Sequence, residues 1–119
     1  MAAALADAEA RGDEAQVPGL CIVLAQQLLK DREKPQRSAE LLRKAIWVAS
    51  RLGQKEAHAL ARVELGDIHR EAGDLTTACE HWQLARSLYY ELKLQKAHDA
   101  TESRMLRHHC PTDWVLNDF

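Results

Sequence analysis

Apolar residues recur every three or four positions along most of this chain. Ala57, Ala61, Leu65, Ile68 and Ala72 fall on one face of a helix, which predicts a buried stripe. Gly73 then offers the left-handed conformation that ends a helix, and Asp74 offers a carboxylate to cap the next one. In that second helix Leu75, Ala78, Trp82, Ala85, Tyr89 and Leu92 form a facing stripe of small residues around one indole. Two antiparallel helices joined by a tight turn are expected. Gly66 sits inside the first of them, where it costs roughly 1 kcal/mol relative to alanine. Close approach of the partner helix would offset that cost.

The same stripe occurs forty residues earlier. Ser38, Leu42, Ala45, Ala49 and Leu52 stand where Ala78, Trp82, Ala85, Tyr89 and Leu92 stand later. Ala97-His98 repeats Ala57-His58, and Met105 repeats Leu65. Pro18-Gly19 can open a helix over 20–31 that buries Cys21, Leu24, Ala25, Leu28 and Leu29, a charged turn follows at 31–34, and Pro35 opens the next helix. The chain therefore divides into a first unit at 18–53, a second at 54–93 and a half unit at 94–110, with its helix over 95–109. Residues 1–16 are either an N-terminal cap or the remnant of a preceding unit, because Gly12-Asp13-Glu14-Ala15 echoes the chain around Gly53 and Ala57. Residues 111–119 form a tail in which Pro111 breaks the helix and Thr112 or Asp113 can cap a last turn. Trp114, Leu116 and Phe119 in that tail are expected to cover the face left open by the missing last helix, or to serve as a short linear motif.

Leu65-Gly66, His69, Ala78, Trp82 and Ala85 have the spacing of small and large residues that resembles a tetratricopeptide repeat. The chain departs from that pattern at Arg62, where a tryptophan would stand, and at Tyr90, where a proline would. A forty-residue period resembles the subset typified by kinesin light chains and LGN polarity adaptors. The resemblance implies a short, right-handed, all-α solenoid of antiparallel helix-turn-helix repeats. It also implies that the first helix of each unit lines a concave groove for an extended or helical partner segment. By position, that groove comprises Leu20, Val23, Gln27, Lys30 and Asp31, then Leu60, Val63, Asp67, Arg70 and Glu71, then Ser103 and Arg107. The Lys and Asn clamp of members that hold chaperone tails is not matched, since Val63 and Asp67 occupy those places. Val63, Asp67, Arg70 and Glu71 are expected to be partly exposed. Any ion pair among the three charged ones would be a surface pair of roughly 0–1 kcal/mol, which stability would barely register.

Composition narrows the function classes further. With 16 basic and 18 acidic residues among 119, and a formal charge of −2, no broad one-signed surface for nucleic acid or an anionic membrane is evident. Apolar runs are too short to span a bilayer, and the start lacks the features of a secretory signal, so a cytoplasmic location is expected. Cys21, Cys79 and Cys110 are odd in number and scattered, which predicts reduced thiols. His108-His109-Cys110 has the ligand types for zinc, but neighbours on a helix point about 100° apart and no second ligand pair follows at finger spacing. Cys79 and His81 face different ways, against a nucleophile and base pair. No phosphate loop or nucleophile elbow is present. Trp47 and Trp82 are expected in the core, and Tyr89 and Tyr90 are expected to split, one ring buried and one at a unit junction. The reading is a non-catalytic adaptor or scaffold module that binds a protein or peptide partner, without cofactor or metal. Its alternatives are a self-assembling scaffold fragment of a longer repeat protein, and a regulatory domain whose tail occupies the groove.

Overall fold

The computed structural model describes residues 2–31 and 35–112. Six helices follow one another: α1 (Ala2–Ala10), α2 (Val17–Lys30), α3 (Pro35–Leu52), α4 (Lys55–Glu71), α5 (Leu75–Glu91) and α6 (Gln95–Arg107), with a 3₁₀ turn at Glu14–Gln16. The described residues contain no strand. The charged turn expected at 31–34 falls largely, and the apolar tail at 114–119 wholly, outside the described residues.

Five turns are built alike, and one hydrogen-bond pattern explains all of them. After α1, α3, α4, α5 and α6 the chain takes one residue into the left-handed region: Gly12, Gly53, Gly73, Lys93 and His109, with φ between 59° and 85°. The N–H of the following residue reaches back to a carbonyl five residues earlier, as in Gln54 to Ala49 (2.9 Å), Asp74 to His69 (2.9 Å), Leu94 to Tyr89 (3.0 Å) and Cys110 to Met105 (2.8 Å). This double-bonded helix end satisfies carbonyls that the helix itself leaves free. It also ends α6 at Arg107, two residues before the expected boundary. Asp74 caps α5 as its position predicts, accepting from the Thr77 N–H at 3.2 Å.

Each helix packs against the next in order, most extensively α2 with α3 and α4 with α5, and α2 also touches α4. The forty-residue echo is an echo of burial. Ser38, Leu42, Ala45 and Ala49 of α3 are all buried, as are their counterparts Ala78, Trp82, Ala85 and Tyr89 of α5, whereas Leu52 and Leu75, expected in the same stripes, are each 40% exposed and Leu92 is half-buried, because they sit at helix ends. Cys21, Ala61 and Thr101 are a second buried series at that interval, and Ala25, Leu65 and Met105 a third. Buried hydroxyls are satisfied by backbone carbonyls: Ser38 Oγ donates across to Ala25 of α2 (3.1 Å) and Thr101 Oγ1 donates within α6 to Ala97 (2.8 Å).

The core has three parts. The largest joins α1, α2 and α3 to Ala61 and Leu65 of α4. A second sets Ala59 and Val63 of α4 against Ala85 and Tyr89 of α5. The third holds Ala78, Cys79, Trp82, Met105 and Cys110 at the α5–α6 end. Gly66 belongs with this last group, because a Cβ there would lie 2.5 Å from Trp82 Nε1 and 3.2 Å from the Ala78 carbonyl oxygen. The close approach expected at Gly66 is thus made by the Trp82 indole as well as by the α5 backbone.

Three expectations are corrected here. Cys79 and Cys110 are joined in a disulfide, so only Cys21 is a free, buried thiol. The pairing is invisible in the one-dimensional spacing, since it depends on the turn after α6 folding Cys110 back onto α5. Trp47 is 65% exposed rather than in the core, because it lies beside the α3 stripe of Leu42, Ala45 and Ala49, not on it. Val63 is buried, at 6% exposure, because α4 lies between α3 and α5 and buries two faces. Within α4 the predicted stripe itself holds at Ala61 and Leu65, while Ala72 at its end is exposed.

Candidate functional site

Two surfaces are candidates, and α4 contributes to both. The first runs across α2, α4 and α6. Gln26 Nε2 donates to Glu64 Oε1 at 3.2 Å, tying α2 to α4. Arg104 of α6 donates from Nε and Nη2 to the two carboxylate oxygens of Asp67, at 2.9 and 3.1 Å, tying α6 to α4. One side-chain bridge thus joins α2 to α4 and another joins α4 to α6.

Of the residues expected to line a groove there, Val23 (40% exposed), Gln27, Lys30, Asp31, Leu60 (36%), Glu71, Ser103 and Arg107 are open to solvent. Leu20 and Arg70 are half-buried. Val63 is withdrawn into the core, as described. Asp67 is half-buried and not a free surface charge: besides Arg104 it accepts from Trp82 Nε1 at 3.2 Å. The expected surface pair exists between Arg70 and Glu71 (2.6 Å) and excludes Asp67. Asp67 links three helices, so stability will register its loss. The partner residue Arg104 lies thirty-seven positions away, beyond the reach of a local reading of α4.

The second surface is a pocket of about 510 Å³ between α3, α4 and α5, lined by no residue of α2 or α6. Arg43, Trp47 and Arg51 come from α3, Arg62 from α4 and His81 from α5, with Ser50 adding a hydroxyl. Helical spacing places Arg43, Trp47 and Arg51 in one row, four residues apart. Ile46 and Leu65 form its apolar floor. Arg51 stacks over the Trp47 ring at 4.7 Å and pairs with Glu14 at 3.1 Å.

Arg62 is held differently. Its Nε donates to His58 Nε2 (3.1 Å) and its Nη1 faces His81 Nδ1 (3.1 Å). A guanidinium can only donate, so both imidazole nitrogens must accept, which requires both rings to be neutral on that side. The titration tendencies agree. Burial pulls His81 down to about 4, helped by the positive charges of Arg62, His69 and Arg43 and opposed by Asp74. Burial and then Arg62 lower His58, and burial lowers Arg62 itself. His69 stacks on His81 with ring centres 5.4 Å apart.

Other chemistry-bearing groups give less. His98, Asp99 and Glu102 place three ligand atoms within 4.8 Å of one another. Glu102 already accepts from Arg86 (2.9 Å), and Asp99 accepts from Gln95 (2.8 Å) and lies 3.0 Å from His98. In His108-His109-Cys110 the sulfur is bonded to Cys79, and the His108 ring packs 5.4 Å from that of Trp82. Tyr89 is buried and Tyr90 exposed, the latter with its ring 6.1 Å from that of His98. No described helix is long and apolar enough to cross a membrane. Comparison of the chain with protein-family models, with curated proteins and with solved structures finds no match.

Proposed function

We propose that this chain is a non-catalytic protein-interaction module of the tetratricopeptide type, which holds a partner segment against the face made by α2, α4 and α6. The observation that supports this reading is the pair of polar bridges, Gln26–Glu64 and Asp67–Arg104, which connect α2 to α4 and α4 to α6. Val23 and Leu60 are exposed apolar positions on two of those helices, with the exposed polar residues Gln26 and Gln27 following Val23 within one turn. An apolar anchor surrounded by polar groups is the usual anatomy of a binding patch. The recurring forty-residue burial pattern supports a repeat architecture, and the mixed charge supports a protein partner over a polyanion.

Val23→Glu with Leu60→Glu tests this reading, because both side chains reach solvent and neither belongs to a buried core cluster. The variant should keep the helical circular-dichroism signal and melt within about 2 °C, since surface changes usually stay within ±0.5 kcal/mol. Proteins retained from native lysate by the wild-type chain should be lost. Full retention by the folded variant would move the interaction off this face.

A further inference from the structure

We propose that the pocket between α3, α4 and α5 receives an acidic segment of a protein partner, with a carboxylate held by Arg43 and Arg62 and an apolar neighbour resting on Trp47. This surface is separate from the α2, α4, α6 face, and either can stand without the other.

The argument begins with charge. Three guanidinium groups, an imidazole and a hydroxyl line the pocket, and among the described residues no carboxylate does. Arg51 has its counter-ion in Glu14. Arg62 has none among the described residues; its hydrogen-bond partners there are the two imidazoles, although it is partly buried. Arg43 has neither ion pair nor hydrogen bond among the described residues. A partly desolvated cation without an anion is costly, and an incoming carboxylate would relieve that cost while gaining the two-pronged geometry that guanidinium offers. The tautomer that lets His81 Nδ1 accept from Arg62 leaves the proton on Nε2, a further donor in the wall of the same pocket.

Shape and surroundings then select the occupant. Trp47, 65% exposed at the rim, is a large rigid ring that Arg51 covers on one face and that otherwise stays largely open among the described residues, and such rings are favoured anchors for protein partners. Ile46 and Leu65 give the floor an apolar character that a bare inorganic ion would not use. The basic character is local. The whole chain carries a slight negative excess, so an extended polyanion would meet acidic groups such as Glu14 beside the pocket. An acidic residue next to an apolar one, presented by a polypeptide, satisfies all of these features.

The test uses the full chain, isotope-labelled, and a set of short peptides in which Glu and Leu alternate with spacers, against the same set with Gln for Glu. Inorganic phosphate alone is a third arm. The Glu peptides should perturb the Trp47 indole and Arg62 Nε resonances, and should bind at least about tenfold more tightly than the Gln set, with affinity falling as salt rises. Arg43→Gln, at an exposed position without partners, should weaken that binding at least about fivefold and Arg43→Lys should restore part of it, with unchanged melts. The Val23→Glu, Leu60→Glu variant should bind the Glu peptides normally. Equal binding of the Glu and Gln sets, no dependence on Arg43, or no binding of Glu peptides would overturn the proposal. So would phosphate that saturates the site and shifts the same resonances while the peptides do not.

Discussion

Gly66 and Trp82 are a matched pair. The glycine pays its helix-propensity cost so that the indole can lie against the α4 backbone, with its N–H directed to Asp67. Gly66→Ala would ordinarily stabilise a helix by about 1 kcal/mol, yet the added Cβ would meet ring atoms at 2.5 and 2.7 Å. A ring buried to 0% exposure has nowhere to retreat. The expected result is a net loss of roughly 1–3 kcal/mol in urea denaturation, and an increase in stability would show that the ring can shift freely. His81 and His58 supply a second residue-scale prediction. Both have pKa values lowered in the fold, His81 to about 4, so the folded chain refuses a proton that the unfolded chain accepts near 6.5. The contribution of His81 is complete above pH 6.5, drains as pH falls toward about 4, and levels off below that, and that of His58 is lost in the same direction. For His81 the loss is roughly 1–2 kcal/mol, because solvent reaching the half-buried ring screens part of the penalty. Denaturation midpoints measured across this window should fall on acidification, and His81→Gln should flatten the fall.

At the scale of the element, the five helix ends use one motif with two grades of residue. Glycine occupies the left-handed position after α1, α3 and α4, whereas Lys93 and His109 occupy it after α5 and α6. An L-residue with a side chain is strained there by about 1–2 kcal/mol. Lys93→Gly should therefore raise stability by up to roughly 1 kcal/mol, because the relief exceeds the extra chain entropy of glycine. A lower melting temperature would mean that the Lys93 side chain makes a compensating contact. The motif was legible where glycine marked it, at Gly53 and Gly73. It was not legible at Lys93 and His109, where tertiary packing imposes the same turn on residues that do not advertise it. The amphipathic reading of α4 shows the matching limit. A single stripe of Ala61 and Leu65 describes a helix with one buried face, but α4 has neighbours on both sides, and Ala59 and Val63 serve the second.

At the scale of the molecule, two long-range links tie α6 and the turn after it to the helices before them. The Asp67–Arg104 pair bridges α4 and α6, and the Cys79–Cys110 disulfide fastens the end of α6 to α5 across thirty-one residues of chain. Closing a loop of that length is worth roughly 3–4 kcal/mol through the unfolded state. Adding a reductant, or making Cys110→Ser, should lower the melting temperature, with hydrogen exchange in α6 rising before exchange in α3. An identical melt with and without reductant would show that the bond does not contribute to stability in solution.

The sequence by itself determined the helical class, the boundaries marked by glycine and proline, the middle of the stripes of α3 and α5, and the forty-residue interval, because each of these depends on contacts within a few residues or on a repeated local pattern. It also singled out Gly66 as a point of close approach. The tertiary structure alone decided the disulfide, the exposure of Trp47, the second buried face of α4 and the engagement of Asp67. It alone decided the gathering of Arg43, Arg51, Arg62 and His81 around one pocket. Those features join residues from different helices, and periodicity along one helix carries no information about which neighbour lies across from it.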